Sequence, residues 1–244
     1  FLYVHLLDTH FPHRLEPPYD QWLDRRARSP QMLLDQPRFY ENADFTQGDK
    51  EYLRGLHDGS ILQSDAGIAR LIAALKARRL FENTVFIIGG DHGEVLGEDG
   101  ATVGHGSNSF DEVMRVPLIV SGPGVPVGEG YSPSVANLDI VPALVGLLGF
   151  ETSAEFHGRS LLPYVTGVNQ GVPHEFIGAV NYGDRWVVRS ESFTLHRRWD
   201  GVEEFWQTPY SILGQTPAVG VAEVEQTRMR TFLTDTLLAL DAAR

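Results

Sequence analysis

Short apolar runs separated by polar loops dominate the first part of the chain. Three of these runs are rich in β-branched or aromatic residues and predict buried strands, at residues 1–7, 84–90 and 116–120. Between the first two, apolar positions recur at helical spacing from Tyr52 to Leu75. Thr46 and Asp49 match a capping box at the start of that helix, and a break is expected near Gly59. Strands that alternate with helices predict an α/β fold with a mainly parallel sheet.

The pattern changes towards the C-terminus. Residues 137–148 predict a helix that Gly149 ends. Beyond residue 170 come short strand-like segments and then a closing helix, at 176–180, 186–189, 193–198 and 221–240, with turns predicted at 181–184 and 191–192. Residues 13–45 show no clear period and predict a long loop. We therefore divide the chain into an α/β portion, residues 1–170, and a smaller antiparallel α+β subdomain, residues 171–244.

Composition narrows the possible partners. The chain has 244 residues with 20 basic and 32 acidic side chains, a net charge of −12, which disfavours binding to nucleic acid or anionic membranes. No apolar run is long enough to span a bilayer. The absence of cysteine excludes disulfides, thiolate metal sites and a cysteine nucleophile from these residues. Because residue 1 already lies in a strand-like run without signal-peptide features, we expect the chain to begin inside a fold.

Two histidine-containing motifs follow the predicted strands. Asp91 and His92 come directly after residues 84–90, where oxygen and nitrogen ligands suit a divalent cation, although an isolated pair is more typical of an ordinary polar turn. His105 lies between two glycines and could bind an anionic oxygen, ligate a metal or protonate a leaving group.

Several further candidates lie near the first predicted strand and before the third. His10 is in the loop after residues 1–7 and is the best placed to face a site, whereas His5 is expected to be partly buried and His13 solvated. Arg115 could bind an oxyanion, but a structural ion pair with Glu112 is favoured.

The order of these motifs resembles the sulfatase family of the alkaline phosphatase superfamily. Residues 82–124 contain Asp-His-Gly-Glu at positions 91–94 and Phe-Asp-Glu-Val-Met-Arg-Val-Pro-Leu-Ile at positions 110–119. Further segments similar to the family occur in the same order, at residues 3–12, 65–71, 137–144 and 157–163. The resemblance implies an alkaline phosphatase-like three-layer α/β/α sandwich, here partial, with a small C-terminal antiparallel subdomain.

The resemblance also implies roles for single residues. Asp91 and His92 would ligate a divalent cation, Ca²⁺ in the first place and Zn²⁺ or Mn²⁺ as alternatives. His10 and His105 would bind the sulfate or phosphate group, and His105 would assist the leaving group. Glu94 would stand behind the metal ligands at best.

The chain departs from the family pattern in its nucleophile. It has no Cys/Ser-x-Pro-x-Arg motif, whose first residue becomes formylglycine, and it lacks the first pair of metal-binding aspartates. We expect both in a missing N-terminal part, and we expect this chain alone to be inactive. The family also implies an extracytoplasmic location.

Three functions stay open from the sequence. The first is hydrolysis of sulfate esters, on a sulfated small molecule or glycan. The second is phosphoryl transfer by a phosphoethanolamine or phosphoglycerol transferase-like relative with a threonine nucleophile and a phosphorylated substrate. The third is a sulfatase-like binding module without catalysis. Basic and aromatic side chains of the C-terminal subdomain could line a pocket, although packing is favoured for the tryptophans, at residues 186, 189, 197, 198, 199 and 206.

Overall fold

A computed structural model of the chain describes residues 1–21, 23–24, 45–99, 102–106, 109–128, 130–131, 134–166, 168, 173–180, 185–211 and 213–242. These residues form two compact units. The first unit comprises Phe1–Thr84 and Glu94–His105, and the second comprises Val85–Gly93 and Gly106–Arg244. The boundary near residue 170, inferred from the sequence, stays a prediction.

The helices and strands follow in chain order. The helices are α1 (Gln47–Ala77), α2 (Asp111–Met114), α3 (Ile140–Leu147), α4 (Leu162–Val165) and α5 (Glu223–Ala242), with 3₁₀ turns at Phe81–Asn83 and Asn137–Asp139. The strands are β1 (Phe86–Gly89), β2 (Val95–Leu96), β3 (Val103–Gly104), β4 (Leu118–Ser121), β5 (Ile177–Val180), β6 (Arg185–Arg189), β7 (Phe193–Arg198) and β8 (Glu203–Gln207). In the described residues, no helix has the length and apolar character needed to cross a membrane.

Helix α1 is the main element of the first unit. Its start is the predicted capping box: the Asp49 N–H donates to the Thr46 hydroxyl, and the Asp49 carboxylate accepts from the Thr46 N–H. The predicted break near Gly59 is wrong, because the helix runs through it without interruption. The glycine serves close packing instead, since a Cβ there would lie 2.5 Å from Leu15 Cδ1 and from the Tyr19 carbonyl oxygen.

The predicted strand at residues 1–7 is also wrong. The structure places these residues outside any strand, with exposed side chains. A strand requires a neighbour to pair its backbone N–H and C=O groups, and none of the described strands pairs with this segment. An apolar run shows that a segment is suited to burial, but not that a partner strand is present.

The second unit begins with two of the predicted strands. β1 and β4 fall within or close to the predicted runs, but they pair antiparallel, with Ile87 opposite Val120. A mainly parallel sheet was predicted from the sequence, whereas this pair of described strands is antiparallel. The 3₁₀ turn Asn137–Asp139 and α3 together match the helix predicted at residues 137–148. Gly149, which follows them, has φ +67°.

The C-terminal part of the second unit is a four-stranded antiparallel sheet in the order β5-β6-β7-β8. Three of its strands and the closing helix were predicted, whereas β8 was not; the predicted turn at residues 181–184 lies outside the described residues. One face of the sheet packs on α5, where fully buried Val188 and Leu195 meet Met229 and Leu233. This apolar layer is the largest described core of the chain and explains the confirmed antiparallel α+β character of the C-terminal segment.

Candidate active site

The loop that carries His10 is fastened to the middle of α1. The Gln63 side-chain amide donates to Asp8 Oδ1 at 2.5 Å and to the Arg14 carbonyl at 3.3 Å, and its oxygen accepts from the Glu16 N–H at 2.9 Å. Together with the close packing at Gly59, these bonds hold the loop at both ends of its turn. A side chain on this loop is thereby held in place although the loop lacks regular structure.

Glu94 lies at the centre of the first unit's polar cluster. Its side chain is 4% exposed, its Oε1 accepts from the Phe11 N–H at 3.3 Å, and the same oxygen lies 3.4 Å from His105 Nδ1. Its other oxygen lies 3.6 Å from His13 Nε2. A buried carboxylate is costly unless polar groups surround it, and these three groups supply that environment.

The β2–β3 hairpin explains why Glu94 and His105 meet. Val95 pairs with Gly104 and Leu96 with Val103, so residues 94 and 105 flank the open end of the same ladder. The hairpin was not predicted, because its strands have two residues each and give no periodic signal. The register of this hairpin, once known, places Glu94 beside His105.

His10 and His105, the two predicted substrate-binding histidines, lie next to each other. Their ring centroids are 5.2 Å apart and the rings meet edge to face. His10 is exposed, whereas His105 is partly buried against Glu94. Two imidazoles this close can offer N–H groups to a single anion, which fits the predicted role in binding a sulfate or phosphate group.

His13 behaves differently from its expectation. It is buried rather than solvated, and its pKa is lowered to about 4, first by burial and then by the neighbouring His57, whose ring lies 5.6 Å away. The ring is therefore neutral at pH 7, and its approach to Glu94 is a polar contact rather than an ion pair. His5, expected to be partly buried, is exposed.

The predicted metal ligands lie in the second unit, at the end of β1. Asn137 donates its side-chain amide to the Gly90 carbonyl at 3.1 Å and to the Asp91 carbonyl at 3.3 Å. The Gly93 N–H donates to the Val113 carbonyl at 2.7 Å. A Cβ at Gly93 would lie 2.0 Å from the Glu112 carbonyl oxygen. The sequence analysis missed Asn137 as a support of this turn.

Asp91 and His92 offer a donor set that fits a divalent cation. Asp91 Oδ2 and His92 Nε2 lie 3.8 Å apart, and bond lengths of about 2.0–2.6 Å allow both atoms to reach one ion. His92 Nδ1 lies 3.0 Å from the Gly93 carbonyl, which favours the proton on Nδ1, and Nε2 is then the nitrogen that would ligate an ion. The pair of metal ligands belongs to one unit and the histidine pair to the other, so their union in one site stays a prediction.

The segment that follows joins the C-terminal sheet. Both carboxylate oxygens of Asp111 accept from the guanidinium of Arg189 on β6, and the Asp111 N–H donates to the Tyr210 carbonyl at 2.8 Å. Glu112 accepts from the Ser211 hydroxyl, and Arg115 is exposed. Arg189 is thus a structural partner of the Phe-Asp-Glu motif, and whether Arg115 binds an oxyanion stays a prediction.

Comparison with known proteins decides the family. A family model described as sulfatase matches residues 1–150, more than half of the chain. The chain belongs to the sulfatase family. The choline-sulfatase of Rhizobium meliloti is 32% identical over 155 residues, which are 62% of this chain and 30% of that protein. The ulvan-active sulfatase of Formosa agariphila is 24% identical over 232 residues, 91% of this chain and 44% of that protein.

Solved structures support the same fold. The phosphonate monoester hydrolase of Agrobacterium radiobacter superposes with a TM-score of 0.64 at 22% identity, over 82% of this chain and 43% of that chain. The expected fold class is confirmed: this sulfatase chain has the α/β fold of the alkaline phosphatase superfamily with a C-terminal antiparallel sheet. The chain spans less than half the length of each of these relatives.

Proposed function

We propose that this chain supplies part of the active site of a metal-dependent sulfate-ester hydrolase, within a longer sulfatase whose nucleophile lies outside these 244 residues. The observation that carries the proposal is the His10–His105 ring pair of the first unit, in which Glu94 contacts His105. Family membership supplies the reaction class. The length of the relatives and the lack of a Cys/Ser-x-Pro-x-Arg motif support a nucleophile, expected to be formylglycine, elsewhere in the longer protein.

In this proposal the two histidines act on the ester. His10 Nδ1 lies 2.5 Å from the Phe11 carbonyl, so its Nε2 is the nitrogen that can face a sulfate oxygen. His105 binds the same group and donates a proton to the leaving oxygen when the bond between sulfur and that oxygen breaks. Asp91 and His92 would hold the divalent cation, which would neutralise charge on the sulfate oxygens. We expect Ca²⁺ there.

The proposed substrate is a sulfated small molecule or glycan. The names of two relatives, choline-sulfatase and ulvan-active sulfatase, correspond to these two substrate classes. The net charge of −12 does not oppose an anionic ester, because a bound cation and two imidazoles determine the local field. An extracytoplasmic location is part of the proposal and rests on family membership.

The test compares the complete protein with the 244-residue chain on a model aryl sulfate. We expect sulfate release from the complete protein, a strong loss in its His10→Ala and His105→Ala variants, and no useful turnover by the 244-residue chain. Turnover by the chain alone at the rate of the complete protein would contradict the proposal. Phosphoryl transfer from a matched aryl phosphate, without sulfate release from the aryl sulfate, would favour the transferase-like alternative. Ligand binding without either reaction would favour the binding module.

Elemental analysis of the purified complete protein tests the metal separately. Calcium supports the sulfatase proposal, whereas stoichiometric zinc or manganese favours the phosphoryl-transfer alternative. Asp91→Ala should lower the metal content, and the exposed Asp200→Ala provides a carboxylate control.

A further inference from the structure

Glu94 contacts both segments that carry the candidate substrate-binding histidines. One carboxylate oxygen lies 3.4 Å from His105 Nδ1 and also accepts from the N–H of Phe11, the residue that follows His10. The side chain is nearly inaccessible to solvent at 4% exposure. It therefore cannot be an ordinary surface acid, and its contacts define what it does.

The geometry points to Glu94 as the positioning residue of His105. A carboxylate beside Nδ1 favours the form of the ring that carries a proton on that nitrogen. The ring orientation is then fixed, and Nε2 is the nitrogen that would serve the substrate. The role of His105 in catalysis rests on the proposed function. The tautomer of His105 that the assignment requires does not depend on that function.

The same carboxylate also holds the loop beside His10. Its bond to the Phe11 N–H fixes the backbone next to His10, and His10 Nδ1 in turn approaches the Phe11 carbonyl. Both rings thus have Nδ1 engaged by the protein. One buried group thereby sets the orientation of two side chains that must act on one anion, which is how positioning contributes to rate.

The proton balance follows from this arrangement. When the nucleophile of the longer protein bonds to sulfur, the bond from sulfur to the leaving oxygen breaks. Its electron pair goes to the leaving oxygen, which takes the proton from His105 Nε2. The ring then becomes neutral and keeps the proton on Nδ1, beside Glu94.

Two substrates that differ in the leaving group distinguish a positioning role of Glu94 from a merely structural role. Esters of alcohols with high pKa need protonation of the leaving oxygen, whereas 4-nitrophenyl sulfate does not. In the complete protein we expect Glu94→Gln to reduce kcat/KM roughly 10–100-fold for an alkyl sulfate, with a much smaller loss for 4-nitrophenyl sulfate. His105→Ala should show the same selectivity, and the double variant should be no more selective than His105→Ala alone.

Asp49→Asn is the matched control. Asp49 is another buried carboxylate of the first unit, but it caps α1 and contacts Thr46. This variant should lower stability and leave the ratio of the two kcat/KM values unchanged. Equal losses on both esters in Glu94→Gln, like those of a generally destabilised protein, would overturn the positioning role.

A second measurement does not depend on activity. In the 244-residue chain labelled with ¹⁵N-histidine, the His105 signals, assigned by their loss in His105→Ala, should show the proton on Nδ1. Glu94→Gln should weaken that preference, and Asp49→Asn should not. A proton on Nε2 alone in the unsubstituted chain would overturn the inference. If the complete protein released no sulfate while this tautomer was observed, the proposed function would fail and the Glu94–His105 contact would stand.

Discussion

His196 makes the stability of the second unit depend on pH. It lies on β7 with 1% of its surface exposed, and both ring nitrogens are without a hydrogen-bond partner among the described residues. Burial first, and then the charge of Arg185, lower its pKa from 6.5 to about 4. Its ring meets Tyr210 edge to face at 4.5 Å, and burial likewise raises the pKa of that tyrosine to about 12.

The sign of the effect follows from proton binding. Between pH 6.5 and about 4 the unfolded chain protonates this histidine and the folded chain does not, so the free energy of unfolding falls as the pH falls through that window. A shift of this size corresponds to about 3 kcal/mol in full, at about 1.4 kcal/mol per pKa unit. From pH 8 to pH 5 the expected loss is about 2 kcal/mol, since the titration is then incomplete.

The assay is urea unfolding followed by tryptophan fluorescence at several pH values. Three of the four tryptophans belong to the second unit, so the signal reports mainly on it. His196→Gln should lower stability little at pH 5 and flatten the pH dependence by about 2 kcal/mol over this range. His157→Gln, an exposed histidine of the same unit, is the control and should leave the slope unchanged. An equal slope in His196→Gln and the unsubstituted chain would refute the reasoning.

Three further predictions concern stability and the local site. Asp111→Ala breaks a largely buried bidentate ion pair with Arg189 and should cost about 3 kcal/mol in urea unfolding, whereas Arg198→Ala, which removes an exposed pair, should cost less than about 1 kcal/mol. Thr46→Ala removes the α1 cap and should cost about 1 kcal/mol, seen as an earlier loss of helical circular dichroism; an unchanged midpoint would contradict the capping role. Gly93→Ala should weaken cation binding, measured by calorimetry, by at least roughly tenfold. A Cβ would lie 2.0 Å from a main-chain oxygen, so the turn that carries Asp91 and His92 would have to move. Unchanged affinity would show that this turn can adapt.

The elements that the sequence predicted are those with local causes. The capping box at Thr46 depends on residues three apart, and the α3 helix and its terminating Gly149 depend on one short apolar segment. The strands β1, β4, β5, β6 and β7 were visible as apolar or alternating runs. Family membership was equally accessible, because it rests on the order of short motifs along the chain.

The contacts of the candidate site were not accessible in the same way. Glu94 was expected to stand behind the metal ligands at best, and in the structure it contacts His105, His13 and the Phe11 N–H. His13 was expected to be solvated, but packing against Phe11 and His57 buries it. Burial depends on residues brought close by the fold, and neighbours in sequence do not report them.

By itself the sequence determined the family and the helix and strand segments with local signals. It also pointed to His10 and His105, whose rings lie side by side in the structure. The tertiary structure decided that β1 and β4 run antiparallel, that Gly59 packs against a loop rather than breaking a helix, and that one carboxylate contacts both histidine segments. The physical reason is the range of the interactions. Capping and periodicity act within a few residues, whereas strand pairing, close packing and side-chain contacts join residues that are far apart along the chain.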